Sequence, residues 1–89
     1  MPARFTLILP PAFRRDLEHL PPRAHREVLE SLQLLQTAAK GPHPKIKKLK
    51  GKGIGQWRLE VWPYRVRTDV VGHAVRLYRV RHRREIYGK

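Results

Sequence analysis

The chain contains no cysteine, so neither a disulfide nor a thiolate metal site can brace it. That absence fits a reducing compartment. Serine occurs once, at Ser31, inside a helical stretch and without the tight-turn motif that exposes a nucleophile. Acidic residues are scarce: seven against twenty Lys and Arg in 89 residues, a formal net charge of +13. No pair of carboxylates is placed as glycoside hydrolysis requires. No apolar run approaches the roughly 20 residues of a membrane span. The longest near the N-terminus, Phe5 to Leu9, is shorter than the about 7–15 residues of a signal-peptide core. No repeat or low-complexity segment is evident. These absences fit a small cytoplasmic protein, one domain spanning residues 1–89 with a modest core, which the elements read below make an α+β protein.

The charge is unevenly placed. Residues 1–44 hold six Lys/Arg and four Asp/Glu, a balance of +2; residues 45–89 hold fourteen and three, a balance of +11. Such an excess repels itself in the compact state, so it implies a polyanionic partner. Phosphate backbones release counterions to lysines and arginines, and nucleic acid is the expected partner, with an acidic protein alongside.

Element signals follow in order. "RFTLIL" is β-branched and aromatic and stops at Pro10-Pro11; its two largely apolar faces predict a strand buried within a sheet. Phe13, Leu17 and Leu20 recur at helical spacing, and Pro21-Pro22 ends that helix. A second helix is expected from about Arg23 to Ala39, with Ala24, Val28, Leu32 and Leu35 inward and Leu29 beside them. "GQWRLEVW", "YRVRTDVV" and "AVRLYRVR" alternate as strands joined at Pro63 and Gly72-His73. In the last of these, Val75 and Leu77 fall on one face and Tyr78 and Val80 on the other. The expected fold is therefore β-α-α-β-β-β, a helical hairpin packed on an antiparallel meander.

Between the hairpin and the meander, "PKIKKLKGKGIG" reads as a loop. Ile46 and Leu49 would pin it to the core and present Lys45, Lys47, Lys48, Lys50 and Lys52 at one edge. Its glycines match no phosphate-binding loop. The histidines at 19, 25, 43 and 73 show no ligand spacing and read as surface or turn residues. His82 sits instead in "RHRREIYGK", among Arg81, Arg83, Arg84 and Tyr87. Metal-free RNA cleavage needs groups of this kind. A base takes the 2′-hydroxyl proton, cations hold the phosphorane charge and an acid protonates the leaving oxygen. Arginine forks match two phosphate oxygens, while His82, Tyr87 or a lysine crowded by other cations offers the acid and base.

Five of these stretches, taken in order, resemble the RelE/ParE superfamily of type II toxins: Lys48-Leu49-Lys50-Gly51, Trp57-Arg58, Tyr64-Arg65-Val66, Val75 to Val80, and His82-Arg83-Arg84-Glu85-Ile86-Tyr87. The layout of strand, helical hairpin and three strands resembles that family too. The resemblance implies a toxin held by a cognate antitoxin. In the RelE branch it implies a ribosome-dependent endoribonuclease that cuts mRNA in the A site with no metal or other cofactor. By position, Arg65 would hold the scissile phosphate, Arg81 or Arg83 would stabilise the transition state, and Tyr87 would act near the attacking sugar. Arg58, Arg67, Arg84 and the lysines 47, 48, 50 and 52 would grip the backbone. Two departures stand out: Glu60 where relatives often carry a basic residue, and Arg81 where a glycine often precedes the histidine. Glu60 reads better as a salt-bridge partner than as a general base. Each site residue has a plainer role open to it: Arg65 paired with Glu60 or Asp69, Tyr87 as a core anchor, the terminal arginines as simple phosphate grips, and Trp57 as core. The alternatives in function are a ParE-like toxin of the same fold that inhibits gyrase without nuclease activity, or a non-catalytic basic RNA-binding module.

Overall fold

A computed structural model describes residues 4–50 and 55–84. Five strands and two helices follow one another: β1 (Thr6–Ile8), α1 (Pro11–Glu18), α2 (Pro22–Ala38), β2 (Ile46–Lys48), β3 (Trp57–Val61), β4 (Tyr64–Val71) and β5 (Ala74–His82). The sheet order is β1-β5-β4-β3-β2. β2 to β5 pair antiparallel, whereas β1 runs parallel to β5, so the sheet is mixed.

Proline at the first helical position starts both helices, where its missing N–H costs nothing. The two are tied at their junction: His25 Nδ1 donates to the Leu17 carbonyl at 2.8 Å, which also accepts from the Leu20 N–H at 3.1 Å. His25 is thus half-buried and structural, not the surface or turn histidine expected. Phe13 and Leu17 of α1, and Val28, Leu32 and Leu35 of α2, bury against Leu59, Val61, Val66, Val75, Leu77 and Val80 of the sheet. Leu29 falls off that stripe and is exposed.

Three expectations need correction. β1 is an edge strand, not a strand buried within the sheet; Phe5, Leu7 and Leu9 pack inward while Thr6 and Ile8 face out. Its apolar outer residue reflects one-sided cover: the helices lie on one face only. The lysine segment also contains a strand. Ile46 buries opposite Leu59, and β2 extends the sheet by three residues, so two polar neighbours conceal a single inward anchor. Third, Val80 shares the core face with Val75 and Leu77. The register runs Arg67 to Arg79 and then Thr68 to Leu77, which leaves Tyr78 as an extra residue in β5. This β-bulge shifts the alternation by one and turns Val80 inward, opposite Val66.

The bulge is supported on both sides. Beyond Arg76, β1 no longer covers β5, and α1 takes over that edge. Asp16 accepts from Arg79 Nε at 2.7 Å, from Arg79 Nη2 at 3.0 Å and from the Val80 backbone N–H at 3.1 Å. Burial works to raise the Asp16 pKa, but these bonds and the charges of Arg79 and Arg81 outweigh it and leave it below the ordinary 3.8. On the outer face Asp69 behaves alike. Burial opposes the charge, while the backbone N–H groups of Gln56 and Gly55, the Tyr78 hydroxyl and Arg67 hold the carboxyl below 3.8.

Two outcomes follow from this framework. Thr68 is buried on the core face, and its hydroxyl has no hydrogen-bond partner among the described residues. Thr68→Val keeps the shape and removes the unsatisfied group, so chemical denaturation should show stability raised by about 1 kcal/mol. A lower midpoint would sink that reading. Asp16 and Asp69 have folded-state pKa values below those of the unfolded chain. Their contribution is complete above the ordinary value and is lost as pH falls through the depressed ones. Denaturation midpoints should therefore decline as pH falls below the ordinary carboxylate value of about 4 and on through the depressed ones. Asp16→Asn with Asp69→Asn should start lower at neutral pH and lose less over that interval.

Candidate nucleic-acid interface

The helices cover one face of the sheet and leave the other to solvent. Strand alternation places basic residues on that open face, and strand register aligns them. Lys47, Arg58, Arg67 and Arg79 are successive cross-strand partners over β2, β3, β4 and β5. At a strand spacing of roughly 4.8 Å, this row of four cations spans about 14 Å. The next row holds Glu60, Arg65 and Arg81, again as successive partners. The bulge decides the second row: without the extra residue Arg81 would point into the core.

Glu60 is the counter-charge of this surface. Its Oε2 lies 2.7 Å from Arg58 Nε and 3.3 Å from Arg65 Nε. Arg65 also donates to Oε1 at 3.4 Å. The Arg58 contact lacks hydrogen-bond alignment and is ionic. All three side chains are largely buried, at 12 to 21% exposure, so screening by water is incomplete. The salt-bridge role expected for Glu60, and the pairing open to Arg65, are both what the geometry contains.

The terminal basic cluster separates into distinct positions. Arg81 joins Arg65 across β4 and β5. Arg83 does not: its backbone N–H donates to the Pro63 carbonyl at 2.9 Å, and its guanidinium lies over the Trp62 ring at 4.7 Å, a cation–π contact. Trp62 is 66% exposed at the β3–β4 turn, held there by this stacking partner. Arg84 is exposed just beyond β5. Its backbone N–H donates to His82 Nδ1 at 3.1 Å, so the neutral His82 ring carries its proton on Nε2. His82 stands opposite Tyr64, ring edge to ring face at 5.3 Å. Tyr64, His82, Arg79 and Arg81 line an open cleft of about 280 Å³ together with Asp16 and His19.

Of the lysines, Lys47 sits in the first row, while Lys48 turns its ammonium toward Trp57, 5.8 Å from the ring centre. Lys50 is exposed. Lys52 and Tyr87 lie outside the described residues, as do Glu85 and Ile86. Arg67, expected to grip a backbone, donates through Nε to the Gly55 carbonyl at 2.9 Å. Neither Asp16 nor Arg79 is marked by the sequence as a site residue. They are 63 positions apart, and only knowledge of the bulge aims Arg79 at the edge that α1 covers. Among the described residues no group of three or more His, Cys, Asp or Glu is gathered to hold a metal ion, and no helix is long and apolar enough to cross a membrane.

Comparison with known proteins agrees with this architecture. No curated protein matches the chain. The RelB–RelE antitoxin–toxin complex of Methanococcus jannaschii contains a chain 27% identical over 92% of this chain and 94% of that one, with a TM-score of 0.69. The RelBE2 toxin–antitoxin complex of Mycobacterium tuberculosis contains one 26% identical over 90% and 99%, with a TM-score of 0.72. The archaeal RelE–RelB complex of Pyrococcus horikoshii shares the fold, at 23% identity over 93% and 97% and a TM-score of 0.65. The family model for the ParE toxin of the type II toxin–antitoxin system parDE matches residues 7–87, nearly the whole chain. This protein accordingly belongs to that family of toxins, within the wider RelE/ParE superfamily.

Proposed function

We propose that the toxin is a metal-independent, ribosome-dependent endoribonuclease of the RelE kind, cleaving mRNA by attack of a 2′-hydroxyl on the adjacent phosphate. The observation that supports this reading is the Arg65–Arg81 pairing on the open face, beside the row of Lys47, Arg58, Arg67 and Arg79. Two guanidinium groups on adjacent strands can hold a phosphate whose charge grows in the transition state. His82, next to Arg81 at the end of β5, would serve in proton transfer to the leaving oxygen. Arg83 stacked on Trp62 serves better as a backbone or base contact than as a partner of Arg65. Arg84 and Lys50, both exposed, and Lys48, which lies over Trp57, would extend the phosphate grip.

An antitoxin with an acidic segment is the expected partner. The solved relatives are complexes of toxin with antitoxin, and a net charge of +13 favours an acidic ligand. A cytoplasmic location follows from that role.

A second reading has its own support. Glu60 engages both Arg58 and Arg65, which a phosphate would have to share or displace, and the matching family model is that of a ParE toxin. A gyrase-inhibiting toxin needs no phosphate clamp. Expression of the toxin alone separates the two: in-frame mRNA ends within translated codons are expected, whereas intact mRNA with broken DNA would sink the nuclease reading. With purified protein and translating ribosomes, Arg65→Ala and Arg81→Ala should each lower cleavage by roughly 100-fold or more. Arg84→Ala should weaken it only several-fold, as a lone exposed phosphate contact does. Glu60→Gln removes the counter-charge, so binding to single-stranded RNA should tighten. The slope of log affinity against log salt should steepen by about 0.7 for each additional phosphate neutralised. An unchanged slope would show that Glu60 does not restrain the arginines.

A further inference from the structure

Two described stretches flank residues 51–54: Leu49 and Lys50 after β2, and Gly55 and Gln56 before β3. Both limbs are fixed. On the outgoing side β2 pairs with β3, and the Leu49 N–H donates to the Gln56 carbonyl at 2.7 Å. On the returning side Asp69 reaches across the open face from β4. Its Oδ2 accepts from the Gly55 N–H at 2.9 Å and its Oδ1 from the Gln56 N–H at 2.7 Å. Tyr78, the extra residue of the bulge, donates its hydroxyl to Asp69 Oδ2 at 2.9 Å. Arg67 completes the arrangement by donating to the Gly55 carbonyl. Four hydrogen bonds from three outward side chains thus converge on two backbone residues and one carboxylate.

Gly55 is fitted to this grip. Its φ of +72° lies in the left-handed region, and a Cβ there would stand 3.3 Å from Arg67 Nε. A charged carboxylate on two adjacent backbone N–H groups forms stronger bonds than neutral groups would.

We infer that Asp69, with Arg67 and Tyr78, is a positioning residue that holds Gly55 and Gln56 and, through the Leu49–Gln56 backbone bond, fixes Lys50 relative to the arginine rows. The inference rests on the RNA reading of the open face for its ligand, a single-stranded polyribonucleotide, but the clamp itself does not. Arg67 acts through Gly55 and holds the loop. Asp69 contributes negative charge to a polyanion-binding face, which makes sense only if the order it imposes outweighs its repulsion of phosphate.

The test has two arms on the full-length protein. Amide hydrogen exchange needs no ligand. In Asp69→Ala the Gly55 and Gln56 amides should exchange at least roughly tenfold faster, with core amides of β4 and β5 remaining protected. Unchanged exchange at Gly55 and Gln56 would overturn the clamp, and so would equal loosening of the core, which would make Asp69 merely a stabilising residue. Tyr78→Phe, which keeps the ring and removes one bond, should give a smaller effect in the same direction. The second arm is a double-mutant cycle with a short single-stranded RNA of mixed sequence. Lys50→Ala should weaken binding several-fold in the wild-type background and have little effect on top of Asp69→Ala, because a misplaced lysine contributes less. Additive losses would overturn the positioning role even where exchange shows loosening. Wild-type protein that does not bind the RNA would overturn the proposed ligand, and exchange would still decide the clamp.

Discussion

One extra residue in β5 organises the molecule. β5 pairs with both β1 and β4, and Tyr78 interrupts its alternation midway. Before the bulge Val75 and Leu77 face the helices; after it Val80 does, while Arg79 and Arg81 go to the other side. A regular strand would have buried two arginines under the hairpin or left Val80 in water. Burying unpaired charges costs several kcal/mol each, so the regular register is the one this sequence cannot adopt. The bulge therefore fixes the core and the open face together. Its two supports, Asp16 at the edge and Asp69 on the face, are carboxylates, which suit the surrounding cations and the backbone N–H groups left open there.

Much of this is legible in the sequence. Helix limits follow from the proline pairs and the spacing of Phe13, Leu17, Val28, Leu32 and Leu35, because burial on one stripe leaves a periodic trace. The β3 and β4 faces follow from period two. The position of the single-residue shift in β5 is not legible: regular alternation through "VRLYRVR" fails by putting Arg79 and Arg81 with Val75 and Leu77, but nothing local marks which residue is the extra one. β2 is hidden because three residues with one inward side chain leave no period to read. The placement of β1 misleads because apolar content marks contact with something, and Ile8 on an edge strand mimics a strand covered on both sides.

For the site, the residue types are visible and their pairings are not. Arg81 and Arg83 are equivalent by composition. The strand continues through His82, which keeps Arg81 in register with Arg65, and then the Pro63 carbonyl draws the chain away to Trp62. The arginine that meets Arg65 is decided by where the strand ends. Arg67 looks like a phosphate grip because it is basic and outward. Its hydrogen bond to Gly55 depends on how the lysine segment returns, which local pattern does not encode.

The geometry also distributes the chemistry. In the nuclease reading, a general base would have to offer a lone pair to the 2′-hydroxyl. Both oxygens of Glu60 are engaged by arginines, and the Nδ1 lone pair of neutral His82 is taken by the Arg84 N–H. Neither group is arranged to accept the proton first. Glu60 instead neutralises part of a crowded cationic face, allowing Arg58 and Arg65 to stand together before any ligand arrives. A phosphate that reached Arg65 would compete with Glu60 for the same donors. Each side chain displaced this way frees a cation for the next phosphate. In the nucleic-acid reading, a face partly self-neutralised at rest would take up a polyanion through exchange of ion pairs, which would tie its strength to salt and to the charge at position 60 more than to contact area.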